Sequence, residues 1–552
     1  MPARRSFLPV SSWTSTEEGY KKKEDAPLTR SSPSQQPLLL IPPPSQHLPS
    51  DAPPISPCFT PTSSSTLPLS TFTTMQAVHF LSLLLSCLLG LSSTTPAVRA
   101  GTVTADYAFA RMLDNIGGAS STSAVPGKNV LRGAVIASPS TASPDYFYSW
   151  VRDSAMTMKV VIESYIKGQH GVTRSLIDNW VGAEYVHQRN AMGSSSSLGE
   201  PKFNADGSLF TGPWGRPQND GPALRATALM KYARTIGLSD PLIASKLYKS
   251  DLSQPSLIKS DLEYVAHHWQ DPTFDLWEEV QATHFFTLAV QRRALAEGAE
   301  FATAMKDPGA ASYYTQQASA IQSKLQTFWN ASSHRIQAYQ STPASFNRDG
   351  LDCAVLLASV HGWNQSSAGA GTNPRWFGPA SDRVLATTRQ YVDSFRTLYP
   401  INKRASAPKS VGVGRYPSDI YDGVATSEGN PWFLCTTTVA EILYDARNLW
   451  EKEVGGGLEV NEVNRAFFDQ FLGGVGVGRY ARGSGTYRKL VGGMVTMADG
   501  FMDIVNTHAY ANGSLSEEFS RYDGFSVGAR DLTWSYAAWL SADAARSGRP
   551  VF

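Results

Sequence analysis

A chain of 552 residues with 48 Lys+Arg against 47 Asp+Glu lacks the basic surplus of polyanion-binding proteins, which excludes nucleic acid as a main partner. Aromatic residues make up 11%, with 13 Trp among them, and charged residues only 17%, an apolar supply ample for a sizeable core. Length alone would allow two to four domains.

Residues 1–74 are rich in Pro, Ser and Thr and carry neither a helical nor a strand period, which predicts a disordered leader. At Met75 begins MQAVHFLSLLLSCLLGLSSTTPAVRA, with an apolar run from Ala77 to Leu91 and small residues up to Ala100. That pattern predicts a secretory signal peptide over 75–100, too short for a comfortable membrane span. Met75 then reads as the true initiator and residues 1–74 as an upstream start. The alternative is a signal anchor with a disordered cytoplasmic tail.

No Pro/Ser/Thr linker interrupts residues 101–552, so one large domain is expected. Apolar residues at helical spacing predict twelve helices, at 153–168, 176–188, 221–237, 261–269, 275–305, 312–329, 351–363, 382–395, 431–453, 461–472, 489–509 and 531–547. Pro222 and Pro431 sit near first turns, and Asp531 sits where a cap would. Sustained alternation for strands is scarce. Cys353 and Cys435 allow at most one disulfide. Asn330, Asn364 and Asn512 each begin an Asn-X-Ser glycosylation triplet, consistent with secretion.

Between the helices lie long loops such as SPDYFYSWVRDS, GEPKFNADGSLFTGPWGRPQNDG, GVGRYPSDIYDGVATSEGNPWF and NGSLSEEFSRYDG. Loops of this length in a compact domain are uncommon unless functional. Each carries Trp or Tyr beside Arg, Asp or Glu, a composition suited to a sugar, which is polar at its edges and apolar on its faces. No HExxH, spaced Cys/His cluster, Walker sequence or GxSxG elbow is present, and GGVGVGR (473–479) lacks a properly placed third glycine. No metal or cofactor is expected. The remaining chemistry belongs to carboxylates.

Glycoside hydrolysis needs a protonated carboxylic acid for the leaving oxygen and a carboxylate on the other face. In FDLWEEV (274–280) Glu278 and Glu279 stand side by side at an expected helix start, where successive side chains diverge by about 100°. Only one can point into a pocket. Apolar walls and a neighbouring charge would raise its pKa, as a general acid requires, although acidic residues at a solvated helix start would look the same. The second candidate is Glu517 of NGSLSEEF, on a loop between two helices.

Eight motifs, YFYSWVRDS, GEPKF, GPWGRPQNDGPALRA, DLWEEV, VGVGRYP, GNPWFLCT, NGSLSEEF and ARDLTWSYAA, resemble in order those of the fungal glucoamylases, glycoside hydrolase family 15. The match runs from about residue 104 to 547. The resemblance implies an all-α (α/α)6 barrel with its active site in a pocket formed by loops at one end. It implies a secreted, inverting exo-hydrolase with no metal, acting as a monomer on starch, maltodextrins and other α-glucans. Such an enzyme removes α-1,4-linked and, more slowly, α-1,6-linked glucose from non-reducing ends as β-D-glucose. Carried over by motif, Glu278 is the general acid and Glu517 the general base. Arg152 and Asp153 hold the terminal glucose, Arg415 holds the sugar across the scissile bond, Trp214 covers the acid, and Glu279 binds the next sugar. Tyr146, Trp150, Leu276, Trp277, Tyr421 and Trp432 complete the walls. An inverting site calls for carboxyls roughly 6.5–9.5 Å apart.

The sequence departs from the family in three places. Glu518 follows the base where familiar members carry glutamine, Gly528 stands where a hydroxyl residue is common, and DGVATSEG is longer than usual. The first two bear on the pH profile and the third on outer subsites. Cys435 matches a family cysteine, but nothing pairs it with Cys353. No C-terminal starch-binding domain is expected, so weak adsorption to granules follows. A trehalase-like hydrolase and a binding protein without catalysis are the competing readings.

Overall fold

Thirteen α-helices and eleven short strands occur among the described residues, which in this computed structural model are 102–119, 129–343, 346, 348–363, 377–403, 405–452 and 456–551. The chain divides into two units, 1–92 and 93–552, and every described residue lies in the second. The expected leader and signal peptide, and Asn364, lie outside the described residues.

The helices are α1 (Ala105–Asp114), α2 (Val151–Ile166), α3 (Arg174–Ala191), α4 (Gly221–Ile236), α5 (Leu257–His268), α6 (Phe285–Ala304) and α7 (Pro308–Gln326). Then follow α8 (Cys353–His361), α9 (Asp382–Phe395), α10 (Phe433–Lys452), the single-turn α11 (Arg465–Asp469), α12 (Gly485–His508) and α13 (Thr533–Arg546). Packing sorts them into two layers. Helix α2 packs on α4, α4 on α6, α6 on α8, α8 on α10, α10 on α13, and α13 returns to α2, closing a ring of six. Outside it α1 packs on α13, α3 on α2, α5 on α4 and α6, α7 on α6, α9 on α8 and α12 on α10. Inner and outer helices alternate along the chain, as expected for an (α/α)6 barrel.

The composition explains which helix goes where. Inner helices are buried on nearly every face, as a helix surrounded by others must be, and α2 buries 13 of its 16 residues, Arg152, Asp153 and Lys159 among them. Outer helices bury one stripe, and α7 buries 5 of its 19. Capping follows the same division with two exceptions, since Asp352 caps the inner α8 and the outer α5 starts without a side-chain cap bond. Thr104, Thr173, Asp307, Ser381 and Ser484 cap five outer helices with side-chain oxygens, whereas α2, α4, α6 and α13 start without a side-chain cap bond.

Three expectations are corrected. The helix predicted over 275–305 begins only at Phe285, because β3 (Thr273–Phe274) pairs antiparallel with β4 (Gln281–His284). Asp275 Oδ1 also takes the amides of Glu279 and Val280, at 2.7 and 3.0 Å, which fixes a turn instead of a helical start. The segment 461–472 supplies only α11, since Asn461 and Asn464 bond local backbone groups. Asp531 does not cap α13; it has φ +48° and accepts from the Tyr536 hydroxyl at 2.6 Å. Helix α1, short and close behind the leader, was not predicted.

Candidate active site

The chain enters α2, α4, α6, α8, α10 and α13 from the same end of the ring, and the candidate residues gather there. A cavity of about 160 Å³ is lined by Tyr146, Trp150, Arg152, Asp153, Leu276, Trp277, Glu278, Glu279, Arg415, Tyr421, Trp432 and Glu517. Every predicted catalytic and substrate-binding residue except Trp214 is in this set. Trp214 lies at the side, 38% exposed, its ring 6.1 Å from that of Trp150. Ala137, Leu532 and Trp534 also line the cavity. The inner-helix N-termini present their positive ends to it, a field favourable to acidic and hydroxyl groups.

β1 (Tyr148–Trp150) leads straight into α2, so Arg152 and Asp153 fall in its first turn. Arg152 Nη1 donates to Gln218 Oε1 at 2.9 Å and to Asp220 Oδ2 at 3.3 Å. Burial works against its charge, but Asp220, Asp153 and Glu278 hold the guanidinium firmly protonated. Burial pushes the Asp153 carboxyl up to about 6 against the pull of Arg152. Arg152 Nε and Asp153 Oδ2 make no hydrogen bond but stand 3.4 Å apart as an ion pair, so the two side chains are held together at the cavity wall.

Glu278 occupies the turn that Asp275 fixes, with φ +67°, a left-handed conformation unusual for a glutamate. That kink, and not helical geometry, separates it from its neighbour. Trp150 Nε1 and Gln218 Nε2 donate to Glu278 Oε1 at 2.6 and 2.9 Å, and Arg152 Nη2 stands 3.8 Å from the same oxygen. Glu279 turns the other way. Its carboxylate accepts from Arg415 at 2.8 Å, from the Tyr416 hydroxyl at 2.7 Å and from Arg348. Burial opposes its charge, but Arg415 and Arg348 outweigh that and hold it below the usual range. Arg415 is itself clamped by both oxygens of Asp419, at 2.8 and 2.7 Å.

Glu517 stands opposite in sequence and in setting. It precedes β10 (Glu518–Phe519), which pairs with β11 (Ser526–Val527), and it is almost wholly buried. Its Oε2 accepts from the Tyr421 hydroxyl at 3.2 Å and the Ala529 amide at 3.4 Å, and Tyr421 meets the Tyr146 hydroxyl at 3.0 Å. Burial pushes the Glu517 carboxyl up, against the pull of those tyrosines, the Ala529 amide and Arg415. Glu518 beside it is pushed well up by burial and then by the Glu517 charge. One Glu518 oxygen accepts from Asn430 at 2.9 Å and the other is buried without a partner. A Cβ on Gly528 would fall 2.7 Å from Glu517 Oε2, and the residue has φ +74°, so this backbone leaves no room for a side chain.

The sequence reading missed the residues that hold the site. Gln218 and Asp220 orient Arg152 and Glu278, and Asp352 accepts from Trp277 Nε1 at 2.9 Å. Gln218, Asp220 and Trp534 all stand within the family motifs; Trp534 lines the cavity, and Gln218 and Asp220 reach it through the side chains they hold. Cys353 and Cys435 are buried free thiols. Asn512 is exposed and Asn330 half-buried on β5 (Trp329–Asn330). Among the described residues no cluster of His, Cys, Asp or Glu could hold a metal ion, and no helix is long and apolar enough to cross a membrane.

A two-layer ring of helices with opposed acidic groups at its loop end defines an (α/α)6 glycoside hydrolase. The sequence profile described as Glycosyl hydrolases family 15 matches residues 120–544, and the chain belongs to that family. It is 40% identical over 472 residues to Glucoamylase-1 of Schizophyllum commune, covering 85% of this chain and 77% of that one. It is 41% identical over 424 residues to Glucoamylase 1 of Rhizopus oryzae, covering 76% and 67%. The solved family 15 glucoamylase of Hypocrea jecorina superposes with a TM-score of 0.74 at 36% identity, over 81% of this chain and 72% of that one. The Saccharomycopsis fibuligera glucoamylase gives 0.71 at 32% identity, over 80% and 94%.

Proposed function

We propose that the protein is a secreted, inverting exo-glucosidase that removes terminal glucose from the non-reducing ends of starch and maltodextrins. It cleaves α-1,4 links, and α-1,6 links more slowly, and releases β-D-glucose. Glu278 protonates the glycosidic oxygen and Glu517 takes a proton from the attacking water. Arg152 and Asp153 hold the terminal glucose, while Arg415 and Glu279 hold the sugar that leaves. The carrying observation is the placement of Glu278 and Glu517 on one small cavity at the loop end of the ring. The different settings of the two carboxylates support their different tasks. All donors to Glu278 reach Oε1, which leaves Oε2 for a proton, and the tyrosine pair at Glu517 can order a water. The small volume of the cavity and the packed interior of the ring, with side chains such as Met156 and Tyr536 buried, support exo action.

Anomeric proton signals followed by NMR during early cleavage of maltoheptaose test this reading. The expected first product is β-glucose. Early α-glucose would overturn the role of Glu517, and glucose from trehalose in preference to maltose would overturn the substrate.

A further inference from the structure

Lys202 opens β2 (Lys202–Asn204) and faces Trp150 across the β1–β2 ladder. It is 1% exposed, yet among the described residues no carboxylate pairs with it. Four aromatic rings surround its ammonium instead. Nζ lies 3.2 Å from the ring centroid of Trp214, 4.0 Å from Phe210, 4.2 Å from Tyr148 and 4.7 Å from Trp150. The rings also contact one another edge to face in a closed square. Tyr148 meets Trp150 at 6.0 Å and 88°, Trp150 meets Trp214 at 6.1 Å and 60°, Trp214 meets Phe210 at 5.8 Å and 85°, and Phe210 meets Tyr148 at 5.3 Å and 73°.

Two of these rings belong to β1 and two to the 210–214 loop, so the ammonium is the group common to both. A desolvated ammonium over ring faces is attracted by their quadrupoles more strongly than an exposed one, and here it has four. Burial brings the Lys202 ammonium down to about 8, with Glu278 and Asp145 acting the other way and Arg216 acting with burial. It is therefore charged in neutral and acidic solution. Both ends of the square reach the site. Trp150 donates to Glu278 Oε1 at 2.6 Å, and Trp214 stands beside it on a loop that Gly215 lets approach Phe274 closely.

We propose that Lys202 is a positioning residue for the hydrolysis assigned above. Its caged ammonium clamps the Trp214 loop onto the Trp150 strand, and so fixes the Glu278 carboxyl and the aromatic wall beside it together. The inference rests on the proposed reaction. It adds that the wall and the acid are one mechanical unit, held by a charge that touches no substrate.

A double-mutant cycle between Lys202→Met and Trp214→Phe tests it, with kcat and KM measured on maltoheptaose. Lys202→Met keeps the length of the side chain and removes the charge. It is expected to lower kcat about tenfold with an intact cooperative unfolding transition, because small misplacements of a catalytic group are costly. Lys202→Arg, which keeps a cation for the rings, is expected to stay within about threefold of the wild type. The double variant is expected to lose no more than the worse single variant, since coupled residues are not additive. Lys202→Met within about twofold of the wild type in both constants, or a double loss equal to the product of the single losses, would overturn the proposal. If Lys202→Met does not fold, Lys202→Gln enters the cycle under the same criteria. Wild-type enzyme that releases no glucose would remove the reaction itself; active wild type with additive losses would remove only the role of Lys202.

Discussion

Glu278 and Glu517 line one cavity but are held in different ways. Glu278 sits on a strained turn, and every donor reaches a single oxygen. Glu517 is buried at the base of a short hairpin, between two tyrosines on one side and a second carboxyl on the other. The first is held by indole and amide donors beside a guanidinium, the second by a tyrosine hydroxyl and a backbone amide in a more buried setting. Equal residue types thus meet unequal surroundings, set by what the ring of helices places behind them.

Removing either carboxyl breaks the comparison outright. Glu278→Gln and Glu517→Gln are each expected to lower kcat on maltodextrin at least about a thousandfold, read as glucose released at saturating substrate. A variant within tenfold of the wild type would remove that residue from its assigned role.

A smaller disturbance sharpens the Glu517 side alone. Gly528→Ala puts a Cβ against Glu517 Oε2 at a left-handed position. It should lower kcat about a hundredfold through displacement of the carboxylate and cost about 1–3 kcal/mol of stability. Unchanged kcat would mean that the backbone yields there and that the close approach is not restrictive.

The smallest effect concerns Glu518. In the folded protein this buried group keeps its proton at pH values where the unfolded chain, near the usual 4.5, has lost it. Folding therefore binds a proton above that pH, and stability falls as pH rises from there towards the titration of the buried carboxyl. Glu518→Gln has no proton to lose. It should match the wild type below pH 4.5 and gain on it above, by up to about 1.4 kcal/mol per pH unit. Urea unfolding at pH 4 and pH 7 reads the difference, and parallel losses in the two proteins would show that Glu518 is ionised in the native state. The acidic limb of kcat/KM, set by Glu517, should lie above the usual 4.5 in both.

Much of the scaffold was legible because inner and outer helices both repeat apolar residues at helical spacing, and the 382–395 boundaries coincide with those observed. The predicted total of twelve agrees with the two rings partly through cancellation, since α1 was missed and 461–472 reaches only one turn. Failures cluster where side chains compete with the backbone for its hydrogen bonds. Asp275 turned an expected helix start into a kinked loop, and the asparagines at 461 and 464 did the same on a surface segment. Site residues that stand in motifs were readable by resemblance. The supporting set was not: Lys202 within its square of rings depends on contacts between strands and loops that no spacing encodes.

The ring closes through α13, whose residues pack against α1 and α2 from the other end of the domain. Asn115 donates to Asp531 O and Thr533 Oγ1, and Thr533 Oγ1 donates to Ile136 O, bonds spanning about four hundred positions. The wall residues Leu532 and Trp534 arrive with the same helix. During synthesis, then, a growing chain can carry both halves of the aromatic square and the entire Glu278 turn while still lacking a cavity. The site is completed late, when the last inner helix leaves the ribosome and docks, and until then the first inner helix has one flank uncovered.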